Sequence, residues 1–194
     1  MKTFELKGTL REGLGKKATK AVRATDSVPC VLYGVSDNVH FNATASDLRK
    51  LIYTPEVYVV ELEIAGNKCK AIMKDLQFHP VSDRVLHIDF LQVTEDKPVA
   101  VEIPVKLTGL AEGVKAGGKL ALEMRKLKVK AVYTLIPENI VIDVTSLGLG
   151  KSVQVGEVSV ENLEILNAKN AVVAQVKLTR AARGAAAAAA AAKK

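Results

Sequence analysis

Short alternations of apolar and polar residues, typical of half-buried strands, recur through roughly the first ninety residues. One alternating stretch, residues 57–79, is interrupted by Gly66 and Asn67, which predicts a hairpin. These patterns indicate a small domain dominated by strands. The predicted strand segments are "TFELKGTL" (3–10), "VPCVLYG" (28–34), "VYVVELEIAGNKCKAIMKDLQFH" (57–79) and "RVLHIDFLQV" (84–93).

Two stretches of the same region have a helical pattern instead. "TASDLRKLIY" (44–53) carries apolar residues at helical spacing, and Thr44 precedes Asp47 by three residues, as in an N-terminal cap. The second stretch, "ATKAVRAT" (18–25), follows a basic loop that contains glycine. We therefore expect two short helices among the strands.

The pattern changes near Thr94, where the polar segment "TEDKP" is followed almost only by strand patterns. This predicts a mainly β protein of two domains, residues 1–93 and 94–180, with the short helices in the first. The alanine-rich segment 181–194 is too short for a stable isolated helix, so we expect a frayed or disordered tail. The later strand segments are "VAVEIPVKL" (99–107), "LKVKAVYTLI" (127–136), "NIVIDVT" (139–145) and "AVVAQVKL" (171–178).

Composition adds a basic character that is concentrated in one segment. The 194 residues carry a formal net charge of +7. Among the first 24 residues, seven basic side chains face only two acidic ones, a net charge of +5. Such clustering favours a polyanionic partner. With 48% hydrophobic but only 4% aromatic residues, the cores must be built mainly from Val, Ile, Leu and Ala.

Cysteine use and the N-terminus bear on the compartment. Cys30 and Cys69 are too few and too far apart for a disulfide framework or a CxxC site, which is typical of free thiols in a reducing cytosol. "MKTFELKGTL" lacks the apolar run of a signal peptide, and no segment before the tail approaches membrane-spanning length. We expect a cytoplasmic protein without membrane contact.

Two glycine motifs imitate nucleotide-binding sequences. "GLGKKA" at 13–18 matches the GxGxxA variant of the dinucleotide fingerprint, but the strand before it alternates and the sequence after it is hairpin-like rather than βαβ. "GLGKS" at 148–152 resembles the end of a P-loop, but Thr145 stands where that motif needs glycine. The strand-like "VQVGEVSV" (153–160) follows it in place of a helix. We expect no bound cofactor.

The histidines raise the question of catalysis or metal binding. His40, His79 and His87 share no ligand spacing with Cys30 or Cys69, so no metal site is expected. No G-x-S-x-G segment presents a nucleophile to a His/Asp pair. We therefore expect neither a catalytic site nor an enzyme.

His87 and Asp89 nevertheless form a notable pair. In a strand, residues two apart share a face, so these two point away from Leu86, Ile88 and Phe90. The apolar side faces the core, which leaves His87 and Asp89 together on the outer face. A polyanion-binding surface results if the basic segment lies beside them.

Four segments resemble a known family. "REGLGKKATKAVRATDSVPCVLYG" and "KDLQFHPVSDRVLHIDFLQV" closely resemble the 5S-rRNA-binding L twenty-five family of the bacterial large ribosomal subunit, in its long, two-domain form called CTC or general stress protein. "EGVKAGGKL" and "IPENIVIDVTSLGLGKSVQVGEV" resemble that form's second domain. The resemblance spans about residues 2–180.

The resemblance implies a fold, a place and a site. It implies a six-stranded β-barrel that binds the non-canonical loop E region of 5S rRNA in the central protuberance, and a β-rich domain that contacts the ribosome nearby. No small-molecule substrate is implied. By position, and with Lys17 added from the same basic loop, the implied RNA-binding residues are Arg11, Lys16, Lys17, Thr19, Lys20, Arg23, Tyr33, Gln77, His79, His87 and Asp89.

Two other functions remain open from the residues alone. One is a nucleotide-dependent enzyme using "GLGKKA" and the His/Asp pair, which a thermal-shift screen with ATP, GTP and NAD would detect. The other is a stress-related RNA binder that acts off the ribosome. Sedimentation distinguishes it, because a ribosomal component co-migrates with large subunits even after a high-salt wash.

Overall fold

The computed structural model describes residues 1–35, 37–160 and 162–180, and these form two compact units. The first unit comprises Met1–Val101 together with Val132–Glu138. The second comprises Glu102–Ala131 and the described residues from Asn139 onward. The domain boundary predicted at residues 93/94 stays a prediction. The predicted disordered tail, 181–194, lies outside the described residues.

Six strands of the first unit close into a barrel in the order β1-β3-β2-β6-β5-β4. The pairs β1/β4 and β2/β6 are parallel and the other pairs are antiparallel. This confirms the expected six-stranded barrel. The strands are β1 (Lys2–Leu10), β2 (Ser27–Tyr33), β3 (Val39–Thr44), β4 (Tyr58–Ile64), β5 (Asn67–Phe78) and β6 (Val85–Gln92).

The barrel interior is filled by the apolar side of each alternating strand. Phe41 of β3 and Phe90 of β6 are fully buried, with ring centroids 5.7 Å apart. Most of their neighbours are the aliphatic residues that the composition predicts. Removing a buried Phe side chain costs about 3–5 kcal/mol, so these two rings are a major part of the barrel's stability.

The barrel region also contains two short helices, as the sequence predicts. Helix α1 (Lys16–Ala24) begins after Gly15, whose φ of 99° suits glycine, and buries no residue completely. Helix α2 (Ala45–Ile52) buries Leu48 and Leu51. Its predicted cap is present in a modified form, because the Thr44 hydroxyl donates to the Asp47 carboxylate rather than accepting from a backbone N–H.

The second unit is β-rich, as expected, and contains two small sheets. One has the order β10-β7-β9-β12 and the other β11-β13-β8. A short helix, α3 (Glu112–Lys115), precedes β8. The strands are β7 (Val99–Thr108), which begins in the first unit, β8 (Lys119–Leu122), β9 (Lys126–Ala131), β10 (Ile140–Asp143), β11 (Ser152–Gln154), β12 (Glu164–Ile165) and β13 (Val172–Lys177).

Two strand predictions in this half are too long. The strand predicted over 127–136 ends at Ala131, and Tyr133–Leu135 forms a 3₁₀ helix that belongs to the first unit. The strand-like segment 153–160 becomes a 3₁₀ helix after Gln154, because Gln154 and Glu157 form a capping box that ends the extended backbone. Alternation continues across the first break and does not reveal it, whereas in the second segment the alternation slips at Glu157, between Val155 and Val158.

The hairpin between β4 and β5 turns one residue earlier than predicted. Ala65 and Gly66, with φ of 50° and 84°, form its turn, and β5 already begins at Asn67. Two consecutive positive φ values are what a two-residue turn requires to match the twist of its strands.

Candidate nucleic-acid interface

The outer face of β6 carries the His87–Asp89 pair that the alternation predicts. Ile88 and Phe90 are fully buried, whereas His87 and Asp89 are half-buried on the opposite face. The His87 Nδ1 lies 2.8 Å from the Asp89 Oδ1. A carboxylate only accepts hydrogen bonds, so the proton is on Nδ1 and the Nε2 of a neutral His87 is an acceptor. The pair thus offers hydrogen-bond acceptors to a ligand.

Strand register adds polar neighbours to the pair. Gln77 of β5 stands opposite His87, and Asp75 stands opposite Asp89. Tyr33 of β2 shares this face: burial, followed by the nearby carboxylates of Asp89 and Asp75, raises its pKa. The Tyr33 phenol therefore stays protonated and able to donate. Asp75 was not among the predicted site residues, although the alternation of β5 places it on the face of Gln77.

The basic segment is attached to this face through Arg23. Its Nε and Nη2 donate to the backbone oxygen of Leu86, at 3.0 and 2.9 Å, one residue before His87. This holds the C-terminal end of α1 beside β6. The structure thus brings the predicted cationic helix and the predicted His/Asp pair together, as a polyanion-binding surface requires.

The remaining predicted residues of α1 divide into two groups. Lys16, Lys17 and Lys20 are exposed and free to approach phosphates. Thr19 is less available, because its hydroxyl lies 3.0 Å from the carbonyl oxygens of Gly15 and Lys16 and donates within the first helical turn. Its role as an RNA contact stays a prediction.

Arg11 is placed differently from the exposed lysines. Its backbone N–H donates to the His40 oxygen, and its Nε and Nη1 are buried without a hydrogen-bond partner. The His40 Nδ1 and the Asn42 Oδ1, both on β3, are also buried without a partner. Leaving buried polar atoms unpaired is costly. His40 and Asn42 were not among the predicted site residues. The alternation of β3 could have indicated them, because Phe41 and Ala43 are buried and the residues between them therefore point outward.

His79 lies in the loop between β5 and β6 rather than beside His87. Its Nδ1 accepts the backbone N–H groups of Val81 and Ser82, both at 3.2 Å. The ring therefore shapes the loop and carries its proton on Nε2. An Nε2–H group is a donor, the complement of the acceptors that His87 and Asp89 offer.

The geometry does not favour catalysis or metal binding. Cys30 is paired in register with Ile88, and both side chains are fully buried in the barrel. Burial raises the pKa of the Cys30 thiol to about 12. A thiol held protonated is a poor nucleophile. Within residues 1–35, 37–160 and 162–180, no three His, Cys, Asp or Glu side chains are grouped as a metal site.

Within the same ranges, no helix combines the length and apolar character needed to span a bilayer.

The "GLGKKA" segment does lie between a strand and a helix, but the topology differs from a dinucleotide fold. Strand β1 pairs with β3 and β4, while β2, which follows α1, pairs with β3 and β6. The fingerprint needs the two strands to be parallel neighbours joined by the helix. Here β1 and β2 are not neighbours, so the segment is a loop followed by the first turn of α1 rather than a nucleotide cradle.

Comparisons with known proteins agree along the chain. The model of the Ribosomal L25p family matches residues 6–90, and that of the C-terminal domain of ribosomal protein TL5 matches residues 98–180. A protein of Phocaeicola vulgatus named large ribosomal subunit protein bL25 is 60% identical over 185 residues, covering 92% of this chain and 93% of the relative. A protein of the same name from Porphyromonas gingivalis is 62% identical over 180 residues, covering 92% and 94%. A third, from Bacteroides thetaiotaomicron, is 59% identical over 183 residues, covering 92% and 93%.

Proposed function

The chain belongs to the ribosomal L25p family, and from this membership we propose that it binds 5S rRNA at the non-canonical loop E region, in the central protuberance of the large ribosomal subunit. At the coarser level it is a large-subunit ribosomal protein of the cytoplasm and not an enzyme. The finer proposal concerns which RNA it binds and through which residues.

The observation that carries the proposal is the composite outer face of the barrel. The acceptors of His87 and Asp89 lie next to Gln77 and Tyr33, and the Arg23 bonds hold α1 beside them. Lysines supply phosphate contacts that position RNA without reading its sequence. The strand side chains supply hydrogen bonds that discriminate between bases.

This chemistry suits the minor groove of RNA. That groove is wide and shallow, and it presents 2′-hydroxyls and base edges, including the guanine amino group, to short side chains on a strand. The amino and hydroxyl groups are donors. The acceptors of His87 and Asp89 are their complement, and non-Watson–Crick pairs expose further donors. The residues proposed to bind RNA are therefore those predicted from the sequence, with Lys16, Lys17 and Lys20 as the exposed phosphate contacts.

A salt titration of binding tests the proposal. Affinity for 5S rRNA and for an unrelated RNA duplex is measured across a series of salt concentrations. We expect a clear preference for 5S rRNA, and a log–log salt slope of roughly −2 to −5 for about three to five neutralised phosphates. Equal affinity for both RNAs, or a flat salt response, would contradict the proposal.

A further inference from the structure

A groove of about 940 Å³ opens at one end of the barrel, within the first unit. It is lined by the end of α1, the start of β2, one side of α2, and the loop and strand start from His79 to Leu86. Arg23 and His79 belong both to this groove and to the predicted RNA-binding set. Arg23 donates to the backbone oxygen of Leu86, and Leu86 directly precedes His87 in β6, so the groove borders the strand that carries the His87–Asp89 pair.

Three arginines line the groove, and two of them are not among the RNA-binding residues predicted from the sequence. Arg49 of α2 and Arg84 of the β5–β6 loop are exposed, and neither side chain has a hydrogen bond or ion pair with the described residues. Arg23 uses Nε and Nη2 on Leu86, which leaves its Nη1 available. Against these three cations stand two carboxylates, Asp26 and Asp83.

The walls of the groove are shaped by backbone hydrogen bonds. The His79 N–H donates to the Arg84 oxygen at 2.8 Å, and the Asp83 N–H donates to the His79 oxygen at 3.0 Å. Together with the bonds to the His79 ring, they close the loop that carries Arg84. On the opposite wall, the N–H of Ala45 donates to the Asp26 oxygen at 3.0 Å, where α2 begins. The arginines thus project from ordered elements.

Tyr53 adds an aromatic surface to the cationic lining. It follows α2 directly, lines the groove and is 64% exposed, a high value for an aromatic residue. Exposed aromatic rings beside cationic side chains are what nucleic-acid binding grooves use to stack bases. An acidic peptide would pair with the arginines equally well, but it gives no reason for the exposed ring.

We propose that this groove holds the sugar–phosphate backbone of an RNA strand that continues from the segment bound by the His87 and Asp89 face. Arg49 and Arg84 each neutralise a phosphate, and Tyr53 stacks on a base. The proposal rests on the proposed function, because it extends the same RNA contact. It assigns three RNA-binding residues beyond the predicted set.

The test compares two double variants that remove the same charge from exposed positions. Arg49→Gln with Arg84→Gln removes two cations from the groove. Lys50→Gln with Lys68→Gln removes two exposed cations that do not line it, one of them adjacent to Arg49 on α2. Affinity for 5S rRNA and the salt slope are measured for the full chain, and circular dichroism and thermal unfolding verify the fold.

For the groove variant we expect affinity about tenfold weaker, and a salt slope smaller in magnitude by about 1.4–1.8, the value for two phosphates. The control variant changes affinity less than about threefold, because long-range attraction between exposed charges is screened. Equal weakening in both variants would overturn the proposal, since net charge alone would then account for it. Unchanged binding of the groove variant would overturn it as well.

Tyr53→Leu separates stacking from charge. We expect it to weaken 5S rRNA binding at least about fivefold without altering the salt slope, because stacking releases no counterions. Unchanged affinity would overturn the stacking assignment.

The outcomes also distinguish this proposal from the proposed function. Equal affinity of the wild-type chain for 5S rRNA and for an unrelated duplex would overturn the proposed function and the groove assignment with it. A wild-type preference for 5S rRNA, together with an affinity for 5S rRNA that the groove variant leaves unchanged, would overturn the groove assignment alone. If that variant also lost its co-sedimentation with large subunits, a ribosomal protein would be the occupant instead of RNA.

Discussion

At the scale of single residues, Asp89 is the side chain that least suits a surface that attracts phosphate. Its charge repels RNA at long range, and Asp75 stands opposite it on β5. Like charges directly opposite on neighbouring strands are destabilising. The His87 ring compensates on one side, with its Nδ1 2.8 Å from the Asp89 Oδ1. A carboxylate kept in such a place is explained if it accepts a specific hydrogen bond from the RNA.

We therefore predict that Asp89→Ala weakens 5S rRNA binding by about 1–3 kcal/mol, the range for a good base contact, and leaves non-specific RNA binding unchanged or slightly tighter. Affinities for 5S rRNA and an unrelated duplex at one salt concentration provide the measurement. Glu61→Ala is the matched control, because it removes an exposed carboxylate of β4 from the same barrel and away from this face. It should strengthen binding to both RNAs slightly or not at all.

His87→Ala should behave like Asp89→Ala, and the double variant should lose less than the sum of the two if the pair acts as one unit. An Asp89→Ala chain that binds both RNAs as well as the wild type does would show that the pair is not the reader proposed here.

The exposed lysines of α1 should act without sequence preference. Lys16→Ala or Lys20→Ala should weaken binding to every RNA alike, by on the order of 1 kcal/mol, and reduce the magnitude of the salt slope by about one unit. The measurement is the salt titration described for the proposed function, with both RNAs. A loss restricted to 5S rRNA would mean that the lysine contacts bases rather than phosphates.

The sequence predicts the direction of a side chain where strand alternation decides it. It does not predict contacts between elements that are distant along the chain. The outward direction of His87 and Asp89 follows from their own strand. The bonds from Arg23 to Leu86, and the buried guanidinium atoms of Arg11, depend on which strands become neighbours. The local sequence does not contain that information, so these features appear only in the folded chain.

At the scale of elements, most barrel strands could be predicted because each has one apolar face. Strand β3 was not predicted, although Phe41 and Ala43 alternate with polar residues. Its six residues directly precede the stronger helical pattern of α2. The change at Ala131 from strand to a 3₁₀ segment could not be predicted. There the chain exchanges one set of packing partners for another while its alternation continues.

Gly34 gives an element-scale prediction, because it ends β2 immediately after Tyr33. Its φ is 130°, and an added Cβ would lie 2.8 Å from the Leu91 Cδ1 and 3.1 Å from the Gln92 oxygen. We predict that Gly34→Ala lowers the free energy of unfolding by about 2–4 kcal/mol, the sum of backbone strain and overpacking. Denaturant unfolding measures it.

Gly66→Ala is the control for Gly34, since its φ of 84° is also positive but no atom lies within 4 Å of the added Cβ. It should cost only the backbone term, about 1–2 kcal/mol. Equal losses in the two variants would show that the contact with Leu91 and Gln92 is not costly.

At the scale of the whole molecule, every residue proposed to bind 5S rRNA lies before residue 93. The first unit nevertheless includes later residues: the Tyr133 hydroxyl lies 3.2 Å from the Glu95 Oε1, Lys70 lies over the Tyr133 ring, and Ile136 is 2% exposed. The proposed contacts and the packing of the first unit therefore involve different lengths of chain.

A fragment of residues 1–93 should keep the preference for 5S rRNA but unfold at a lower temperature than the full chain, because it lacks the packing of Tyr133 and Ile136. Affinity measurements and thermal unfolding of both chains provide the comparison. The complementary fragment 94–194 serves as the control, and it should show no preference for 5S rRNA. An equal loss of affinity in the two fragments would contradict the assignment of the site to the barrel.

The most direct test of the central claim is a hydroxyl-radical footprint of the full chain on 5S rRNA, with the wild type and Asp89→Ala at the same salt concentration. We expect the wild type to protect the loop E region and to leave the rest of the RNA accessible, and Asp89→Ala to lose that protection at the same protein concentration. Protection spread evenly along the RNA, or a loop E footprint that Asp89→Ala leaves intact, would contradict the claim that the outer face of the barrel reads 5S rRNA.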